Sequence, residues 1–354
     1  MEKKNNAGAI ASNAGDDFHL IWACKKLLEI LKPNSELTAI SVEGPTWTDS
    51  VQISEEEALY SIDLAEYYGG TNFEDANSVV FSQLKYSTYQ MGKDWTASIL
   101  CTKTSKNKDN SIIRRLADTY KKFASEHASS IDKLTLKLVS NRKLDVGFSE
   151  SINEAVCVLN QKECSQTATL LKKLSPEHQT DIEKLYKASN LSSSSFICFL
   201  LALNFDDCGT GIRSIHRAEV IKQMGKWSTG NLHNKYNSLI SDIRERMLPE
   251  QPTGMPIGKE DVLAALETSS MEIFPAPSKI EAPSHSYIER RLCNTISTCF
   301  KENPKSVICI QATAGIGKTT FVSHIKDSLP KDSVTVLYDC YGGGHFYKTV
   351  NVGI

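Results

Sequence analysis

Residues 60–86 read YSIDLAEYYGGTNFEDANSVVFSQLKY, and their pattern decides the fold. Tyr60–Tyr68 and Val79–Tyr86 are strand-like runs rich in aromatic and β-branched residues. Gly69-Gly70 and a polar stretch separate them, which predicts a hairpin. Side chains alternate along a strand, so Gln83 and Lys85 share a face. Pairing of Asp63 near Gln83 would bring an acid, an amide and a lysine to one point, with the spacing D-x19-QxK.

Working outward, Leu37–Glu43 and Leu134–Ser140 are further strand-like runs. Ahead of them Phe18, Ile21, Trp22, Leu27, Leu28 and Leu31 recur at roughly helical spacing, with Asp16 and Asp17 at the start and Pro33 beyond the end. Helices are expected at 111–126, 149–162, 166–173 and 176–188, then a buried run at 196–205 and further helices near 217–246. Interleaved helices and strands of this kind read as α/β with a mixed sheet.

Six of the 11 prolines fall between 249 and 283. They predict a module over 1–248 and a linker over 249–286 interrupted by a short helix, Lys259–Glu267. A second piece occupies 287–354, and a segment 1–250 is expected to fold alone. The second piece reads as strand Ser306–Gln311, loop Ala312–Thr319, helix Thr320–Leu329 and strand Val334–Asp339. One such unit is too few strands to bury a sheet, so the chain is expected to be the front of a longer protein.

Lys and Arg total 40 against 42 Asp and Glu, a net charge of −2, which excludes a wholly basic nucleic-acid binder. The N-terminus is polar, and the longest apolar stretch, Phe196–Phe205, is too short to span a bilayer. The 10 cysteines form no CxxC pair and have no zinc spacing, as expected of reduced, mostly buried thiols in a cytoplasmic protein.

Two motifs carry chemistry. An acid, a Gln and a Lys on adjacent strands have the geometry of a PD-(D/E)xK site, with Gln in the second acidic place. Phosphodiester hydrolysis uses a divalent ion to polarise phosphate and acidify water. Mg²⁺ takes one or two carboxylates and several waters. Asp63 would supply one ligand and the Gln83 oxygen or Leu84 carbonyl a second, with Glu43 an additional carboxylate and Lys85 orienting the water. The bland alternative is a solvated Asp63–Lys85 ion pair worth at most about 1 kcal/mol. The second motif, ATAGIGKTT at 312–320, meets the phosphate-loop pattern at Gly317, Lys318 and Thr319, with Ala312 in place of its first glycine. Backbone N–H groups would cradle phosphates, Lys318 would reach the β and γ oxygens, and Thr319 would hold Mg²⁺. No Mg²⁺-binding carboxylate is assigned on the next strand, so binding of ATP is better supported than its hydrolysis.

GDDFHLIWACKKLLEIL (15–31), SVEGP (41–45), IDLAEYYGG (62–70), QLKYST (83–88), Trp95-Thr96 and Ser140-Asn141-Arg142 together resemble the N-terminal double-stranded-DNA endonuclease domain of bacterial anti-phage proteins. These include CBASS effector nucleases and those fused to STAND ATPases of the AVAST type. The phosphate loop, with YDCYGGG at 338–344, resembles the start of a STAND/NACHT-type P-loop NTPase. The resemblance implies a restriction-endonuclease-like mixed sheet flanked by helices, followed by the start of that NTPase domain. It puts the nuclease site and its Mg²⁺ on Asp63, Gln83, Lys85 and Glu43, and the nucleotide on Gly315, Gly317, Lys318, Thr319 and Thr320. It further implies double-stranded DNA and ATP as partners, a phage-encoded trigger recognised beyond residue 354, and activation by homo-oligomerisation, a tetramer being compatible.

Two alternatives remain open on sequence. One is a nuclease-like module that holds DNA or a partner without cutting. The other, ranked last, is a restriction-type enzyme with sequence specificity. His19 reads as structural, and Trp22, Trp47, Trp95 and Trp227 read as core or interface. The Lys and Arg groups at 103–115 read as a solvated face that could track phosphates.

Overall fold

The protein is described from a computed structural model covering residues 3–51, 61–103, 110–161, 164–209, 211–248, 254–273, 287–288, 290–303, 305, 307–313, 315–329 and 333. The chain divides into two compact units, Met1–Thr268 and Ser269–Ile354.

The first unit opens with the long helix α1 (Lys3–Ile30), then β1 (Leu37–Val42), a short α2 (Trp47–Val51), β2 (Leu64–Tyr68) and β3 (Ser78–Lys85). After α3 (Ala97–Leu100) and α4 (Ile112–Glu126) comes β4 (Leu134–Ser140). Four helices follow, α5 (Val146–Asn160), α6 (Thr167–Lys173), α7 (Pro176–Ser189) and α8 (Ser193–Ala202), running into β5 (Leu203–Asp206). The unit closes with α9 (Arg213–Met224), α10 (Leu232–Glu245), β6 (Ile257–Gly258) and α11 (Lys259–Ala265).

The described strands form one mixed sheet of order β5-β4-β3-β2-β1-β6. β1, β2 and β3 pair antiparallel, and β3, β4 and β5 pair parallel. The expected hairpin is present, with Leu64 opposite Ser82 and Tyr68 opposite Ser78. One face packs on α4, α5, α7 and α8 through Tyr67, Phe81, Leu136, Phe123, Phe148 and Phe199. Phe18, Ile21, Leu28 and Leu31, three to four residues apart or multiples of that, bury one stripe of α1. That helix packs against β1 and β3, and its Lys26 reaches the buried Glu66 of β2 at 3.2 Å.

Several sequence expectations are corrected. β2 starts at Leu64, because Asp63 turns its side chain back onto the backbone of β3 (Tyr60 lies outside the described residues). The buried run at 196–205 is a helix end followed by a strand, so α8 feeds directly into β5. The further helices expected near 217–246 are present as α9 and α10, separated by Gly225–Asn231, with α9 starting earlier at Arg213. Part of the expected linker belongs to the first unit: Ile257 and Gly258 pair with Ile40 and Ala39 at the sheet edge, and α11 buries Val262 and Leu263.

The second unit contains α12 (Ser270–Ile273), α13 (Arg291–Glu302) and α14 (Lys318–His324), the last continuing as a 3-10 turn over Ile325–Ser328. Cys293, Ile296 and Phe321 form its small described core. Among the described residues, 307–311 carry no strand pairing, and Ser306 of the expected strand Ser306–Gln311 lies outside them. The expected strand Val334–Asp339 lies outside the described residues. None of the nine described cysteines is in a disulfide, and only Cys24, Cys208 and Cys293 are buried, against the sequence expectation that most would be. No helix among the described residues is long and apolar enough to cross a membrane.

Candidate active site

The register Leu64–Ser82 carries Asp63 to the position opposite Gln83. Asp63 N–H donates to the Ser82 carbonyl at 2.9 Å. In return, Leu84 N–H donates to Asp63 Oδ2 at 2.6 Å. Lys85 Nζ stands 3.7 Å from the same oxygen. Gln83 is buried on the shared face, and its side-chain oxygen has no hydrogen-bond partner.

Glu43 arrives from β1. Its N–H donates to the Asp63 carbonyl at 3.0 Å, which locks the two chain segments side by side. It does not extend the strand, as the sequence reading had it: its φ is +53° and that of Gly44 is +139°. A left-handed conformation disfavours a residue with a side chain by roughly 1–2 kcal/mol. The backbone turns there and leaves the carboxylate half-exposed at the sheet end. Behind it, Thr46 Oγ1, Tyr67 OH and Phe73 N–H all donate to Asp49, while Thr46 N–H donates to Tyr67 OH. That buried network fixes the turn after β1. Burial raises the Asp49 carboxyl above its usual range, against the opposing pull of the Phe73, Tyr67 and Thr46 hydrogen bonds. With Thr46 and Asp49 turned inward, Trp47 is left 56% exposed, which excludes the core half of its reading as core or interface.

His19, read from the sequence as structural, joins these groups from α1. Its Nδ1 is 3.6 Å from Glu43 Oε1, its Nε2 is 3.9 Å from Asp63 Oδ2, and Nε2 is within 3.3 Å of the Leu84 carbonyl. Burial works against protonation, but the Glu43 hydrogen bond and the charges of Asp63 and Glu43 outweigh it. The imidazole is held above its ordinary pKa. Burial draws the Lys85 ammonium below the usual lysine range, with Asp63 opposing and Arg115 assisting. Arg115 lies on α4 and buries its Nε without a partner. Arg114 is instead committed to Asp118 at 2.8 Å.

The GDDFH segment also supplies a clamp. Asp17 takes Arg213 at 2.8 Å and Arg217 at 3.1 Å, tying α1 to α9.

Asp63, Glu43, Gln83 and Lys85 are thus gathered at one end of the sheet. Among the described residues no three His, Cys, Asp or Glu side chains are grouped to hold a metal ion. A Mg²⁺ that keeps several waters fits the two carboxylates and the orphaned Gln83 oxygen. The Leu84 carbonyl fits less well, because it already faces His19.

In the second unit Gly315 and Gly317 have φ of +78° and +84°. Arg290 Nη2 donates to the Ile316 carbonyl at 2.6 Å, and the positive φ at Gly317 is the conformation that favours glycine there. Lys318 Nζ donates to the carbonyls of Ala312 and Thr313 at 2.6 and 2.8 Å. Thr320 lies in the first turn of α14, directly after Thr319.

No family model matches the sequence, and no curated protein matches it. Among solved structures the chain is similar to the Acinetobacter baumannii Cap4 SAVED/CARF-domain containing receptor with the cyclic trinucleotide 3'3'3'-cAAA, at 10% identity and a TM-score of 0.37. The alignment covers 86% of this chain and 52% of that one, so the chain spans about half the receptor's length. A likeness at that score fixes neither fold nor activity.

Proposed function

We propose that the first unit is a Mg²⁺-dependent double-stranded-DNA endonuclease, joined to an ATP-binding STAND-type switch and acting in anti-phage defence when the switch assembles copies of the protein. The observation that carries the reading is the meeting of Asp63, Gln83 and Lys85, with Glu43, at one sheet end. The defence role and the switch rest on the sequence resemblance alone.

A divalent ion held by Asp63, Glu43 and Gln83 would neutralise phosphate charge and acidify a bound water. The chain's own groups do the rest. Lys85, partly buried and held beside Asp63, would turn its remaining N–H donors to the water and the scissile phosphate. Water adds across one P–O bond: its oxygen bonds to phosphorus, and the departing ester oxygen takes a proton. His19 holds the Glu43 carboxylate from behind. In the second unit the Lys318 ammonium would exchange the Ala312 and Thr313 carbonyls for nucleotide phosphate oxygens.

Plasmid nicking tests the reading. Wild-type protein should cut in Mg²⁺ or Mn²⁺ and stop in EDTA, while Lys85→Ala and Asp63→Asn should lose about 100-fold or more with folding intact. Full activity in Asp63→Asn, or cutting in EDTA, would reduce the cluster to an ion pair. The second reading is a nuclease-like module that holds DNA without cutting. Retained DNA binding without any nicking would select it.

A further inference from the structure

A cleft of about 500 Å³ opens at the carboxyl ends of the parallel strands β4 and β5, and the hydrolysis proposed above makes no use of it. Open α/β sheets bind ligands at just such strand ends. The cleft begins at Ser140, the register partner of Lys85. It continues to Asp206, the partner of Val139. Strands lie about 4.8 Å apart, so the cleft is one to two strand spacings from Lys85, about the reach of one nucleotide.

Its walls are rigid. Asn141 bonds both the N–H and the carbonyl of Ser87, at 2.8 and 2.9 Å, tying together the segments that follow β3 and β4. Arg142 lies 3.9 Å over the Trp95 ring, and its guanidinium donates to the carbonyls of Lys93 and Asp94. Trp95 N–H donates to the Lys143 carbonyl at 2.7 Å. Arg142 is therefore committed to the wall and is not a free phosphate contact.

The chemistry of the walls is that of a base, not of a phosphate. Trp95 is 9% exposed, yet its indole N–H has no partner. Asp206 Oδ1 accepts from Cys208 N–H at 2.8 Å and Asp207 Oδ1 from Gly209 N–H at 3.0 Å, which leaves the second oxygen of each carboxylate for a ligand. Glu150, Asn204, Ser140, Ser149 and the exposed Lys143 complete the polar lining. Glu150, Asp206 and Asp207 outnumber the uncommitted cation Lys143, so the cleft disfavours a phosphate, while its carboxylates accept readily from the exocyclic amine of cytosine or adenine. Leu138 and Phe205 provide the apolar surface a flat ring would cover.

We infer that this cleft receives one unstacked, amino-bearing nucleobase of the DNA strand beside the cleaved phosphate, with Asp206 and Asp207 accepting from its amine. The inference rests on the endonuclease reading for the source of the base. It gives the enzyme a base preference at one position, in a protein otherwise without a base-reading motif.

The test uses the full chain in EDTA with a duplex carrying 2-aminopurine, whose fluorescence rises on unstacking, at protein concentrations that saturate the duplex by anisotropy. Wild-type protein should raise the signal severalfold. Asp206→Asn combined with Asp207→Asn keeps Oδ1 for the two turns but turns the outward acceptor into a donor, and should lose most of the rise. No rise with bound wild-type protein, or an unchanged rise in the double variant, overturns the inference. Suppression of the rise by equimolar free dCMP would also overturn it, assigning the cleft to a free nucleotide. A rise without any Mg²⁺-dependent nicking would remove the endonuclease reading and leave the base cleft standing. Nicking without a rise would do the reverse.

Discussion

Two polar clusters lie beside one sheet and are built in opposite ways. Around Asp49 the donors Thr46, Tyr67 and Phe73 close on the carboxylate, and the group is 4% exposed. Around Asp63 the lysine stands off at 3.7 Å, Glu43 is half-exposed, and the Gln83 oxygen is buried with nothing to accept from. Saturated polar groups specify a shape. Unsaturated ones hold free energy in reserve for a ligand. The contrast separates architecture from chemistry more sharply than the spacing D-x19-QxK does.

The contrast can be broken by mutation. The largest expected effect is on the saturated side: Asp49→Ala strands Tyr67, Thr46 and Phe73 N–H in the interior and should remove about 2–4 kcal/mol of unfolding free energy, read by urea titration. A loss near zero would mean that the network is not holding the turn after β1. On the unsaturated side Gln83→Leu should reduce nicking about 100-fold while raising stability by about 1 kcal/mol, because an orphaned acceptor disappears. If the variant is instead less stable, Gln83 belongs with the structural groups. His19 should give the smallest signal. Its folded pKa lies above the ordinary 6.5, so its contribution to stability is complete below pH 6.5 and fades as pH rises through the folded value. Replacing it with Gln should flatten that slope in urea titrations from mildly acidic to mildly alkaline pH. An unchanged slope would place the titrating group elsewhere.

The hairpin register and the meeting of Asp63 with Gln83 and Lys85 were legible in the sequence, because a Gly-Gly turn and two-residue alternation are local signals. His19 was not. Its contact with the Leu84 carbonyl spans 65 residues, and a lone histidine on an amphipathic helix carries no periodic signal. The left-handed backbone at Glu43 was also hidden, since the glycine that usually announces such a turn stands one residue later. For Trp47 hydrophobicity alone left core and interface undivided, and here Thr46 and Asp49 take the interior positions. Residues 257–258 escaped notice because a two-residue strand in a proline-rich stretch falls below any strand pattern. The β4–β5 cleft needed the parallel register, which no local pattern encodes.

That two-residue strand has a consequence for anyone shortening the chain. β6 is the outer rung on β1, and α11 is folded against the same edge region. Ending the polypeptide near residue 250, as the proline pattern invites, strips both away and uncovers β1's unpaired amides and carbonyls beside Ile40. A bare edge of that kind templates a strand from another copy. The trimmed fragment would be prone to assemble through its sheet, and clustering seen in it would report on missing edge protection, not on a signalling state.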